Sequence, residues 1–209
     1  MKIEAQTLLS LQNFSQAHRG VFSVHDLGNF FLTMDFITLN RRLKPFLKEK
    51  ILRRFCRGFY VAQDFDLELL SEKISPQSAI SLGNILAKEM LIGTIPHKTV
   101  YAVKSGKTRI YRSSIGQVIH LGFTANRGKN LWFGYDRVEN GIRYADKEKA
   151  FLDTLYFYQL GYRFPFNVYS DIQTDRLDLK ILRQYLSHYK NPKFRKFVEG
   201  VMDGHHSIR

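Results

Sequence analysis

"NRRLKPFLKEKILRRFCRGFY", residues 40–60, carries eight Lys or Arg side chains against a single acid, Glu49, and threads an apolar spacing and a proline through them. Leu39, Leu43, Phe46 and Leu47 recur at i, i+4, i+7 and i+8, the stripe of a helix buried along one side. Asn40, Arg41, Lys44 and Lys48 fall away from that stripe, and Arg42 sits at its edge. Asp35 is placed to cap the helix. Pro45 has no N–H for the Arg41 carbonyl, a defect worth about 3 kcal/mol inside a helix. The sequence therefore predicts either a kink at Pro45 or a regular helix that stops before Lys44. Beyond it, "KILRRF" and "FYVAQ" are strand-like runs around "CRG", with Gly58 at the turn.

Upstream, Leu8, Leu9, Leu11 and Phe14 place a first amphipathic helix at residues 3–15. Ser23 can cap a second, with Asp26 three residues on in place of the Glu of a capping box and Leu27, Phe30 and Phe31 facing inward. "LTMD", residues 32–35, breaks the chain before the third. Helix, helix, turn, helix, hairpin is the order of a winged helix-turn-helix, assigned to residues 1–65.

Residues 63–75 carry four acids against Lys73, and this reversal of charge is taken as the joint between domains. Residues 75–209 read as a mixed α+β domain with a small, mainly antiparallel sheet, so the whole chain is α+β. A helix is expected from Ser75 and Pro76, with the proline at the first helical position. A hairpin is expected about Ser105-Gly106, and further strands in "QVIHLGF", "LWFGY" and "GIRYA". The helix "DKEKAFLDTLYFYQLG" is capped by Asp146 and ended by Gly161. Two last helices are placed at about 174–188 and 191–202.

The chain has 209 residues, a formal charge of +13 and a sequence pI near 9.8, which points to an anionic partner. One cysteine, Cys56, excludes an internal disulfide and a multi-cysteine metal site. No apolar run approaches the ~20 residues that cross a bilayer, and the first residues lack a secretory pattern. A cytoplasmic protein without a membrane partner is expected.

Signatures of catalysis are weak. "SGKT" at 105–108 resembles the end of a P-loop, but Tyr101 stands where its first glycine belongs and a strand pattern follows it. Asp178-Leu-Lys180 with Asp171 or Asp175 could be arranged as a magnesium nuclease site, yet Leu177, Leu179, Ile181 and Leu182 make the segment an ordinary amphipathic helix. Histidines 18, 25, 97, 120, 188, 205 and 206 show no helical zinc spacing and read as solvated. Cys56 reads as a small strand residue, although neighbouring cations could favour its thiolate. No cofactor is expected, and the protein is read as not an enzyme. DNA binding fits best: Thr38, Asn40 and Arg41 suit groove contacts at the N-terminal end of the third helix, Arg42 flanks them, and Lys44, Lys48, Arg53, Arg54 and Arg57 suit phosphates. The plain alternative is a solvated helix face. Rival classes are a nuclease of the second domain and an interaction module for an acidic protein.

With "CRGFYV", "SPQSAISLGNILAKEMLI", "VYAV", "TRIYR" and "GIRYADKEKAFLDTLYFYQLG", the chain resembles the AbiEi family of antitoxins over roughly residues 5–162. "DKEKAFLDTLY" is similar to the family's Pro-Glu-Lys-Ala-Leu-Leu-Asp-Leu-Leu-Tyr signature, with Lys147 in place of the proline. The resemblance implies a type IV toxin-antitoxin system. In it a winged helix-turn-helix represses its own operon at inverted repeats, which fits a dimer on DNA. A C-terminal domain counters a nucleotidyltransferase-like toxin without requiring a stable complex. It also leaves room for a stand-alone regulator. Within the signature, Glu148 and Asp153 do not share a helix face. Glu148, Lys149 and Asp153 are expected to anchor the helix to the sheet, and Tyr156, Tyr158 and Tyr162 to be core or interface aromatics.

Overall fold

A computed structural model describes residues 3–93, 98–124 and 131–206. His97 and the side chains of His205 and His206 lie outside what it describes. The fold is α+β and divides into two units, residues 1–74 with 111–117, and residues 75–110 with 118–209.

In the first unit, α1 (Ala5–Ala17), β1 (Val21–Ser23), α2 (Val24–Phe30), α3 (Phe36–Lys48), β2 (Arg53–Cys56) and β3 (Phe59–Val61) follow in order. The three strands form an antiparallel sheet in the order β1-β3-β2. This is the winged helix-turn-helix arrangement. Its core is Leu11, Phe22, Leu27, Leu39, Leu43, Phe46, Leu52 and Tyr60, none more than 5% exposed. Ser23 and Asp26 form the expected reciprocal cap of α2: Asp26 N–H donates to Ser23 Oγ at 3.1 Å and Ser23 N–H to the Asp26 carboxylate at 2.8 Å. The acidic stretch taken for a joint instead contains α4 (Leu67–Ile74). Lys73 of α4 reaches Asp26 at 2.7 Å and the Val21 carbonyl at 3.1 Å, so the helix is fastened to the winged helix. The first unit therefore runs nine residues past the expected boundary at 65.

The second sheet has six strands in the order β6-β7-β5-β4-β9-β8. They are β4 (Ala79–Ile80), β5 (Thr99–Ser105), β6 (Arg109–Ser113), β7 (Gly116–Phe123), β8 (Arg137–Glu139) and β9 (Ile142–Tyr144). The helix expected from Pro76 does not form. Ser75–Ser78 is a tight turn, with Ser78 N–H on the Ser75 carbonyl at 3.0 Å and Gln77 at φ +70°, where Pro76 presets the turn's first corner. Ala79 and Ile80 then form the strand between β5 and β9, antiparallel to one and parallel to the other. A helix there would leave both neighbours without their ladder partner. The short α5 (Gly83–Lys88) follows.

Nor do residues 99–113 pair as a hairpin, because β7 lies between β5 and β6. "SGKT" instead folds over Gly122: Gly106 N–H donates to the Phe123 carbonyl at 2.8 Å and Gly122 N–H to Thr108 Oγ1 at 3.0 Å. A Cβ on Gly122 would lie 2.1 Å from the Gly106 oxygen. "LWFGY" is no strand. Its Phe133 and Tyr135 rings lie against Lys149 Nζ, while Trp132 is exposed.

The helix α6 (Lys147–Gln159) is the centre of this unit. Every residue from Glu148 to Leu155 is buried, and α5, α7 (Leu179–Ser187) and α8 (Pro192–His206) pack around it. Asp146 caps it through Lys149 N–H at 2.7 Å. Gly161, at φ +94°, ends it with Tyr162 N–H on the Phe157 carbonyl at 2.9 Å, the crossed pattern of a left-handed cap. The expected helix 174–188 is interrupted: Thr174–Arg176 is a single 3-10 turn, and α7 starts afresh from Asp178.

Of the three polar residues expected to anchor α6 to the sheet, only Asp153 reaches its edge, through Ser81 directly after β4, while Lys149 and Glu148 bond to other segments. Asp153, wholly buried, accepts hydrogen bonds from Ser81 Oγ and from Tyr135 OH, each at 2.7 Å, and pairs with Lys149 Nζ. Lys149 Nζ also donates to Tyr189 OH at 3.1 Å and lies over the Phe133, Phe123 and Tyr135 rings at 4.7–5.1 Å. Glu148 turns elsewhere and accepts Asp178 N–H at 2.8 Å. Tyr156 packs on Phe123, and Tyr158 stacks on Phe197, so both belong to the unit's own aromatic packing.

Candidate nucleic-acid interface

The α3 helix begins where Asp35 accepts Thr38 N–H at 2.8 Å and Ile37 N–H at 3.3 Å. A hydrogen bond from the Thr38 hydroxyl, joined by those from the Thr38 and Ile37 N–H groups, holds the Asp35 carboxyl below its usual range. Leu39, Leu43 and Phe46 are 3%, 1% and 4% exposed and fix the inward face. Each residue turns about 100° round the axis, so the face opposite that stripe is the line Ile37, Arg41, Lys44 and Lys48. All four are exposed, as is Asn40 beside them. Thr38 is half-buried.

The helix passes through Pro45 without a break and ends at Lys48. Its termination is a left-handed cap in which Lys50, at φ +56°, takes the position glycine usually fills. Lys50 N–H bonds the Leu47 carbonyl at 3.2 Å, and Ile51 N–H bonds the Phe46 carbonyl at 2.9 Å. The preceding turn is tight because Thr33 N–H returns to the Gly28 carbonyl at 2.9 Å, and a Cβ on Gly28 would lie 3.0 Å from the Thr33 oxygen.

The basic residues fall into two groups. Arg41, Lys44 and Lys48 on α3 and Arg57 at the tip of the β2–β3 turn point to solvent. Arg54 is also exposed, and its Nε donates to the Cys56 carbonyl at 3.4 Å. Two residues expected among the DNA contacts are engaged inside the unit. Arg42 donates to the Phe31 carbonyl at 2.5 Å, joining the end of α2 to α3, and Arg53 donates to the Gln63 carbonyl at 2.9 Å, closing the end of the sheet. The β2–β3 turn is short, with Gly58 at φ +86°.

Burial raises the Cys56 thiol, and Arg54 offsets this only in part, so its thiolate is disfavoured. Asp178 Oδ1 is committed to Lys180 N–H at 2.8 Å and Ile181 N–H at 3.2 Å, and Asp171 to Asn167 N–H at 2.8 Å. Both carboxylates serve as local caps. The histidines are not all solvated: His120 is fully buried on β7, and the His18 ring lies 4.1 Å from that of Phe14. Among the described residues no helix is long and apolar enough to cross a membrane.

No family model and no curated protein matches the chain. Among solved structures, the crystal structure of the RV2827C protein from Mycobacterium tuberculosis is similar, with a TM-score of 0.62 at 10% identity, covering 97% of this chain and 78% of that one. At that identity the likeness is one of fold alone.

Proposed function

We propose that the chain binds duplex DNA through α3 and the β2–β3 turn and represses transcription of its own operon. The second unit then serves as the antitoxin domain against a nucleotidyltransferase-like toxin, as the AbiEi resemblance implies. On this reading the protein is cytoplasmic, has no catalytic activity and uses no cofactor. The observation that carries the DNA-binding half is the outward row of α3, on which Arg41, Lys44 and Lys48 are all exposed within a helix-turn-helix whose second helix is the one a groove admits.

Fluorescence anisotropy on the protein's own upstream DNA tests it. Affinity should fall with salt at a slope of about −0.9 per phosphate neutralised. Arg41→Ala should cost about 1–3 kcal/mol on the preferred sequence and relax the preference, whereas Arg54→Ala should weaken all sequences alike. No binding at low salt, with the folded protein in excess, rejects the reading. The antitoxin half has its own assay, rescue of growth when a neighbouring nucleotidyltransferase-like gene is expressed with this one.

A further inference from the structure

Ile37 is 79% exposed, and it heads the same outward row as Arg41, Lys44 and Lys48. Met34 and Phe36, beside it at the start of the helix, are 70% and 61% exposed. A β-branched aliphatic exposed at the head of a cationic row gains nothing from water. The apolar core of the unit is complete without it. The cations that follow it along the row favour an anionic cover, and the major groove of duplex DNA joins an anionic rim to one apolar feature on its floor, the C5-methyl of thymine.

We infer that Ile37 reads a thymine methyl, so that the recognised sequence carries a thymine at the position facing the first turn of α3. This rests on the DNA-binding reading above and sharpens it by naming a base. Ile37 and Arg41 are one turn apart, about 6 Å along the helix, and base pairs rise about 3.4 Å per step. The thymine therefore lies within about two base pairs of the Arg41 contact.

The test uses the full chain and the upstream fragment it binds, made once with thymine and once with deoxyuridine throughout, which keeps the pairing and removes the methyls. Burying one methyl-sized group corresponds to about a fourfold change in affinity. The wild type should bind the uracil fragment about fourfold more weakly, or more where Phe36 or Met34 covers a second methyl. Ile37→Ala should bind the thymine fragment with a similar loss, become insensitive to the replacement, and keep the salt slope of the wild type, because the cations are untouched. Ile37 is outside the core, so this variant folds. Equal wild-type affinity for the two fragments, or full uracil sensitivity retained in Ile37→Ala, overturns the inference while leaving DNA binding in place. A change of oligomeric state in Ile37→Ala with no effect of uracil assigns the patch to a second copy of the chain and also overturns it. Failure of both fragments to bind rejects DNA binding itself.

Discussion

Asp153→Ala removes the hub of the second unit. Its carboxylate satisfies three groups at once, Lys149 Nζ and the hydroxyls of Ser81 and Tyr135, with no access to water on either side of the ion pair. Without it, Lys149 keeps one hydrogen bond, to Tyr189, and the faces of the surrounding rings. A buried charge left without its partner costs about 3–5 kcal/mol, and the two orphaned hydroxyls push the loss toward the upper end. Against the roughly 5–15 kcal/mol that holds a domain together, the unit would lose a third or more of its stability.

The protein's single tryptophan, Trp132, lies 4.7 Å from the Tyr135 ring, so its fluorescence in a urea titration follows this unit and not the winged helix. The cause can be separated from simple loss of packing. Asp153→Asn keeps the shape and an acceptor for the two hydroxyls but still strands the lysine, and adding Lys149→Met removes the stranded charge at nearly constant volume. The double variant should recover most of what Asp153→Asn loses. A loss below about 1 kcal/mol in Asp153→Ala, or a double variant no better than Asp153→Asn, would refute the argument from buried charge.

Two further predictions concern pH and capping. Burial, with the Asp153 charge adding to it, holds Tyr135 and Tyr189 well above their ordinary value of 10.0. Their stabilisation is complete below that value and drains away above it, at up to about 1.4 kcal/mol per pH unit for each. Lys149 runs the other way: burial pushes it down, so the unit gains stability as pH climbs to the lysine's ordinary 10.5 and no further. Above 10.5 only the tyrosine effect remains, and the urea midpoint read by Trp132 should fall steeply there; a flat profile would contradict it. In the first unit, Ser23→Ala deletes the acceptor of the Asp26 N–H and should cost about 1 kcal/mol, seen as an earlier thermal transition by far-UV circular dichroism. An unchanged transition would mean that the Asp26 carboxylate and Lys73 hold the start of α2 by themselves.

The winged helix was legible because its signals are local. Asp35, Ser23 and the Leu39–Leu43–Phe46 stripe each act within a few residues, and the structure uses them as the spacing implies. Pro45 was the exception. The proline's cost of about 3 kcal/mol competes with the burial of Leu39, Leu43 and Phe46, each worth about 1.5–3 kcal/mol, and the buried stripe wins, so the helix runs on. Residues 67–74 were read by their acidity, although Leu67, Leu70 and Ile74 already stand at helical spacing. In the second unit the strand pairings depend on non-local partners. Nothing near Ala79 and Ile80 announces that strands ending at positions 105 and 144 will claim them, and nothing in "SGKT" announces that β7 will separate β5 from β6.

The interface itself was read through its charges, and a charge count is a poor guide to which cations are free. Arg42 and Arg53 sit in the same basic run as Arg41 and Arg54, yet each is drawn to a backbone carbonyl left open at the end of an element, α2 for one and β3 for the other. Those carbonyls exist only once the chain is folded. Ile37 was not singled out by its sequence context. Apolar residues on an amphipathic helix are assigned to the core by default, and the stripe from Leu39 to Leu47 satisfies that expectation without it. Placing Ile37 at about 100° per residue puts it 160° away from Leu39, on the line of Arg41 and Lys44. The cations in the run are therefore of two kinds, one holding the fold and one facing out, and the outward group includes one exposed residue without a charge, Ile37.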